Sequence, residues 1–269
     1  MQKKSVYRLI ESAMMLAIAA VLSVIKVVDM PVGGSVTLMS MLPILIIAYR
    51  YGTGWGLLTG VTYGLIQMLL GLENLSYATS FGAAVAIIVL DYLAAFTVLG
   101  LGGVFRRTIK SQGAALALGC VLGGGLRYVC HLLSGCTVWY GLSVPTGESL
   151  NYSFVYNAVY MVPELVLLTA GAVYLSKLLN FRETTITRSV PAATTSPLIV
   201  PLSVVSVCSA LAAVIADIVL IVPHLQTEDI LFHIGGLADV NWIAVGIVTV
   251  SAAVVVAVCT AVTSRLNKQ

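Results

Sequence analysis

Charge is what this chain has least of. Asp, Glu, Lys and Arg make up 9% of its 269 residues, where a soluble domain carries about 25%. With 59% hydrophobic residues and a mean hydropathy of +1.02, the chain reads as a polytopic membrane protein with the lipid bilayer as its solvent. The apolar runs are continuous and lack the in–out alternation of barrel strands, which leaves an all-α bundle. A net charge of +3 is too small to suggest a nucleic-acid partner.

Other absences narrow the function. No GxxxxGK[ST] loop is present, so the chain does not bind and hydrolyse ATP by that route. There is no HExxH zinc motif and no GxSxG nucleophile elbow. Gly100-Leu101-Gly102-Gly103 closes an apolar run and does not follow a strand, so it is not a dinucleotide loop. The five cysteines (120, 130, 136, 208 and 259) stand singly in or beside apolar runs, without CxxC or metal spacing, and read as buried small hydrophobes. No cofactor and no enzymatic activity are expected. A binder or transporter of a solute remains.

What is present begins with eight expected spans, at 6–28, 38–50, 54–71, 80–104, 113–136, 153–178, 197–223 and 241–264. The first has basic flanks like a signal peptide but ends in VIKVVDMP without a small-residue cleavage site, so it reads as a retained helix. The second and third are short for the roughly 20 residues that a crossing needs, and Pro43 interrupts the second. With an inside N-terminus, one side collects all of the Lys and Arg except Lys26 and Arg127, while the other holds Asp29, Glu73, Glu148, Glu228, Asp229 and Asp239. The positive-inside rule then puts both termini in the cytoplasm.

Ala13, Ala17 and Ala20 share a face of the first span, suited to close helix approach. Gly56, Gly60 and Gly64 form an every-fourth-residue packing seam in the third. Asp91, followed by Tyr92, is an ionisable group inside the fourth span, which costs several kcal/mol unless paired or wet. Arg127 and His131 share a face of the fifth, and Arg127 is expected to pair with Glu164 or Asp91.

The stretch from Arg127 to Glu164, RYVCHLLSGCTVWYGLSVPTGESLNYSFVYNAVYMVPE, is the least membrane-like part of the chain. It crosses an expected outer loop and gathers His131, Trp139, Asn157 and the row Tyr152, Tyr156 and Tyr160. Asn157 asks for a hydrogen-bond partner. A Thr/Ser-rich linker, ETTITRSVPAATTS at 183–196, separates two last spans that carry Asp217 and, in the loop between them, His224 and His233; this His spacing is weak support for a metal. An anion, a His, an amide and several aromatic faces suit a flat cationic ring with an amidine-like edge, which is the chemistry of thiamine.

RYVCHLLSG, the Trp eight residues beyond its His, the later YxxxYN, LDYLAAF and the arrangement SVTLMSMLPI…RYGTGWGLLTGVTYGL are similar to the thiamine-specific S component of energy-coupling factor (ECF) transporters. The resemblance covers residues 5–181. It implies a six-helix S-component-like bundle plus two additional C-terminal helices: a substrate-binding membrane domain at 1–182, the linker at 183–196 and a two-helix extension at 197–269. It implies that Asp91 and His131 contact the aminopyrimidine, that Trp139 stacks on a ligand ring, that Tyr152 and Asn157 supply polar contacts and that Tyr92 lines the pocket. It further implies that Ala13 and Ala17 dock on a transmembrane coupling subunit, served by two ATPase subunits. Two departures stand out. The family often carries an aromatic in the first outer loop, and residues 28–37 have none, with Met30 the available substitute; the acidic–Tyr pair, often followed by Pro, is followed by Leu93. An S component for another vitamin or a thiamine precursor, and a self-sufficient ion-coupled carrier using Asp91, Glu164 and Asp217, are the competing readings.

Overall fold

In a computed structural model the described residues are 2–30, 33–138, 146–189, 196–225 and 234–266. They form helix α1 (Gln2–Val24), a short hairpin of β1 (Lys26–Asp29) and β2 (Ser35–Thr37), helices α2 (Leu42–Tyr51) and α3 (Thr53–Leu70), and a 3-10 turn at Leu72–Tyr77. One helical rod, Phe81–Arg106, follows. It runs from α4 (Phe81–Ile87) through a π-helical stretch (Ile88–Ala94) and α5 (Ala95–Thr97) into a 3-10 section (Val98–Arg106). Then come α6 (Gln112–Thr137), α7 (Gly147–Leu178), the small pair β3 (Leu179–Asn180) and β4 (Thr187–Arg188), α8 (Ile199–Leu225) and α9 (Trp242–Leu266). Each of the eight expected spans coincides with a helix. Among the described residues, α1, the rod, α6, α7, α8 and α9 are long and apolar enough to cross a membrane.

The boundaries differ where backbone chemistry intervenes. The first helix stops at Val24, and residues expected to prolong it pair as a strand, Lys26 opposite Thr37 and Val28 opposite Val36. The chain turns between these strands through Gly33 and Gly34, both at φ +90°, a conformation open to residues without a Cβ. At its other end α7 begins six residues early, so Glu148 lies in its first turn, where an acidic side chain favours the helix dipole.

By contacts the chain divides into two units, Met1–Val173 with Phe181–Thr185, and Tyr174–Asn180 with Ile186–Gln269. In the first, α2 is buried from Leu42 through Arg50, with α1, α3, the 3-10 section and α6 packed on it. Ten residues are too few to cross the hydrocarbon, and protein on all sides relieves α2 of meeting lipid. Arg50, counted above among the basic residues of the expected cytoplasmic side, stands at the end of this buried helix. It is buried, pairs with Glu11 and donates to the carbonyls of Phe181 (2.8 Å), Glu183 (3.2 Å) and Thr184 (3.1 Å).

The glycine row of α3 faces the rod. A Cβ on Gly60 would lie 2.6 Å from the Phe96 carbonyl oxygen, and one on Gly64 would lie 2.7 Å from that of Tyr92. The two backbones are in van der Waals contact there, as the expected seam requires. In the second unit α8 and α9 pack as a hairpin. Thr249 on α9 donates a 2.7 Å hydrogen bond to Asp217 on α8, so this intramembrane carboxylate has a partner in its own unit.

Candidate functional site

The site grows from the π-helical stretch. Such segments are rare, appear mostly as single-turn bulges and recur at functional sites, because one extra residue per turn re-aims the side chains. Asp91 sits in this one. His131 and Ser134, three apart on α6, converge on its carboxylate: His131 Nδ1 lies 2.8 Å from Oδ1, and the Ser134 hydroxyl donates to Oδ2 at 2.6 Å. An ionised carboxylate only accepts, so the imidazole proton belongs on Nδ1. That leaves Nε2 of His131 pointing away with a free lone pair in the neutral ring, and this buried atom has no partner. The side chains of His131 and Asp91 are 12% and 13% exposed, so both are largely withdrawn from water.

Helix α7 supplies the opposite wall. Asn157, buried, donates through Nδ2 to the Ser153 carbonyl at 2.8 Å and reaches the His131 carbonyl at 3.4 Å. Its Oδ1 accepts from the Tyr160 hydroxyl at 2.6 Å. The partner that Asn157 was expected to need is thus mostly its own helix, with α6 as the second. The Tyr row becomes a continuous aromatic surface. Tyr152 and Tyr156 stack with centroids 6.1 Å apart and planes 8° apart, and Tyr156 meets Tyr160 edge-on at 6.2 Å. Tyr160 also faces the His131 ring at 6.4 Å.

The first hairpin closes over these tyrosines with backbone. The Tyr156 hydroxyl donates to the Gly33 carbonyl at 2.7 Å. A Cβ on Gly34 would stand 2.7 Å from a Tyr160 ring carbon, so only glycine allows this approach. Met30, in the same loop, is buried.

Below this cluster Glu164 is fully buried. It accepts from the Thr37 hydroxyl and pairs with Arg127 at 3.3 Å. The Arg127 guanidinium also lies 4.5 Å from the centre of the Phe96 ring. Of the two partners expected for Arg127, the chain uses Glu164, and Asp91 is left to α6.

The structure therefore brings together Asp91 on the rod, His131 on α6 and Asn157 on α7, with Tyr152 joined to them through its stack on Tyr156. Tyr92 turns elsewhere: its hydroxyl donates to the Gly71 carbonyl at 2.8 Å and accepts from Asn74 at 3.0 Å, fastening the outer 3-10 turn to the rod. Trp139 lies outside the described residues, as does His233. Ala13 and Ala17 are exposed on α1, away from the cluster, while Ala20 is half-buried and Ala19 buried. Ser153 and Tyr160 were not singled out as site residues. Their signal was positional, one at four residues before Asn157 and the other at three after it. Among the described residues no group of three or more His, Cys, Asp and Glu is placed to hold a metal.

Comparison with known proteins places the chain in a family. The profile described as thiamine transporter protein matches residues 9–183. A curated relative, the thiamine transporter ThiT of Bacillus subtilis (strain 168), is 36% identical over 178 residues, which covers 62% of this chain and 88% of that one. A solved structure of ThiT from Listeria monocytogenes superposes with a TM-score of 0.53 at 24% identity, over 65% of this chain and 95% of that one, and so shares the fold. Helices α8 and α9 lie beyond the matched range. On the extent of the profile match and the identity to its curated relative, the chain belongs to the thiamine transporter protein family.

Proposed function

We propose that the chain is the substrate-capturing S component of an ECF-type vitamin transporter and binds thiamine at the Asp91–His131–Asn157 cluster. The observation that carries this reading is one buried ring nitrogen beside the Asp91 carboxylate. His131 Nε2 has no partner. An aminopyrimidine edge, with a ring nitrogen beside an exocyclic amine, offers matching donors and acceptors. The thiazolium cation calls for aromatic faces, worth about 0.5–2 kcal/mol each. Tyr152 supplies one such face and Trp139 a second, with Asn157 holding the wall and Tyr92 bracing the rod behind it.

Uptake on this reading needs a transmembrane coupling subunit and two ATPase subunits, as the resemblance to S components implies. The exposure of Ala13 and Ala17 supports a docking role for that face of α1, where small side chains permit close helix approach. The positive-inside distribution supports cytoplasmic termini. Residues 1–182 are the binding domain in this account, 183–196 a linker and 197–269 an extension.

The test is a fluorescence titration of the purified full chain. Thiamine should quench Trp emission saturably, pyrithiamine should compete and riboflavin should not. Binding of riboflavin in place of thiamine would overturn the assignment.

A further inference from the structure

A second concentration of unused hydrogen-bonding capacity lies at the arginine-rich end of the first unit. An open cavity of about 380 Å³ is lined there by Arg8, Arg50, Arg106 and Arg182, with Glu183 the acidic side chain in the wall. These residues come from α1, the end of α2, the end of the rod and the segment after β3. Two of the arginines are committed to structure. Arg50 is bound to Glu11 and three carbonyls, as described above, and Arg182 donates to the Tyr49 hydroxyl at 2.8 Å and to the Ile109 carbonyl at 3.0 Å.

The other two are not committed. The Arg8 guanidinium lies over the Trp55 ring, 3.8 Å from its centroid, and the indole N–H is held by Ser12 at 2.8 Å. The planar group is thus fixed in orientation while its Nε is buried without a partner. Arg106 carries no hydrogen bond or ion pair among the described residues. Two cations lining one cavity repel each other and gain from an anion between them. A guanidinium fork fits phosphate oxygens in pairs, which a lone ammonium does not. Basic pockets between helix ends at headgroup level bind anionic phospholipids by this means.

We propose that Arg8 and Arg106, framed by Arg50 and Arg182, form a phosphate-binding site at the basic end of the bundle. Its ligand is a phosphate group carried either by an anionic phospholipid of the adjacent leaflet or by a soluble phosphate. The site is separate from the Asp91 cluster and does not depend on thiamine binding.

The test uses the full chain in a neutral, phosphate-free detergent at constant chloride, because exposed charges are screened by salt. Thermal unfolding is followed with short-chain phosphatidylglycerol, inorganic phosphate or phosphatidylcholine. A saturable rise in midpoint with phosphatidylglycerol alone identifies the lipid source. An equal rise with inorganic phosphate identifies the soluble one. In the double variant Arg8→Gln/Arg106→Gln the apparent affinity should fall about tenfold or more, from loss of charge-assisted bonds. The pair Arg8→Lys/Arg106→Lys should recover only part of it, because charge without the fork is restored. If the double variant is not monodisperse, Arg106→Gln alone gives the same reading, since that side chain makes no bond the fold needs. Absence of any saturable shift, a shift unchanged in the variants, or equal stabilisation by phosphatidylcholine would overturn the proposal.

Discussion

Helices α6 and α7 carry two polar clusters, one turn apart on α6 at Arg127 and His131. The lower one joins Arg127, Glu164 and Thr37. The upper one joins Asp91, His131 and Ser134, with Asn157 and Tyr160 on the facing wall. Both withdraw a carboxylate and a basic side chain from water. In the lower cluster a formal positive charge meets a formal negative one, and a ring and a thioether lie against the guanidinium, whose Nε has no partner. In the upper one a carboxylate is held by groups that need not be charged, and His131 Nε2 has nothing to bond. Neutralised charge suits a brace, whereas an unpartnered ring nitrogen in a dry setting suits the binding role proposed for the upper cluster.

The largest effect should come from breaking the brace. Glu164→Ala leaves Arg127 without its counter-charge in the bundle interior and should cost about 3–5 kcal/mol of stability, read as a lowered unfolding midpoint or loss of monodisperse protein. An unchanged midpoint would show that the two clusters do not differ as argued. Asp91→Asn removes the acceptor of a charge-assisted bond and should weaken thiamine binding by about 1.5–3 kcal/mol, with a smaller effect on the midpoint than Glu164→Ala. If stability falls and affinity does not, Asp91 belongs with the brace. His131→Ala should weaken binding by about 1–3 kcal/mol, and a titration finding wild-type affinity would remove the free Nε2 from the account. Trp139→Ala should abolish the fluorescence quench and weaken binding by about 0.5–2 kcal/mol through lost stacking on the cation; a quench that persists would point to Trp55 or Trp242. Least of all should follow from deleting the residues after Thr185. Both clusters lie in the first unit, so thiamine affinity should be retained, and its loss in a well-folded truncation would give α8 and α9 a part in the site.

Much of this was legible in the sequence for identifiable reasons. The regular glycines at 56, 60 and 64 announced a close helix contact, because only a missing side chain permits one, though not which helix would meet them. Arg127 announced a carboxylate partner, Glu164 or Asp91, through the cost of leaving a charge alone in a membrane, and the packing selected Glu164. The π-helical stretch around Asp91 was not legible. Whether a turn takes one more residue depends on what the rod packs against, here the α3 backbone at Gly60 and Gly64. The burial of Arg50 was not legible either, because it depends on residues 181–184, some 130 positions away. The cover over the tyrosines was likewise not legible: residues 28–37 hold no aromatic, and the contact with Tyr156 and Tyr160 comes from the backbone at Gly33 and Gly34.

The sequence by itself determined the solvent, the eight helices and the inventory of chemistry, because hydropathy and residue type are properties of each short stretch taken alone. Only the tertiary structure decided which polar groups satisfy one another and which are left open. Hydrogen bonds and ion pairs reach about 3 Å, and the chain brings Asp91 to His131, Thr37 to Glu164 and Arg8 to the cavity wall shared with Arg106 only once its helices have packed.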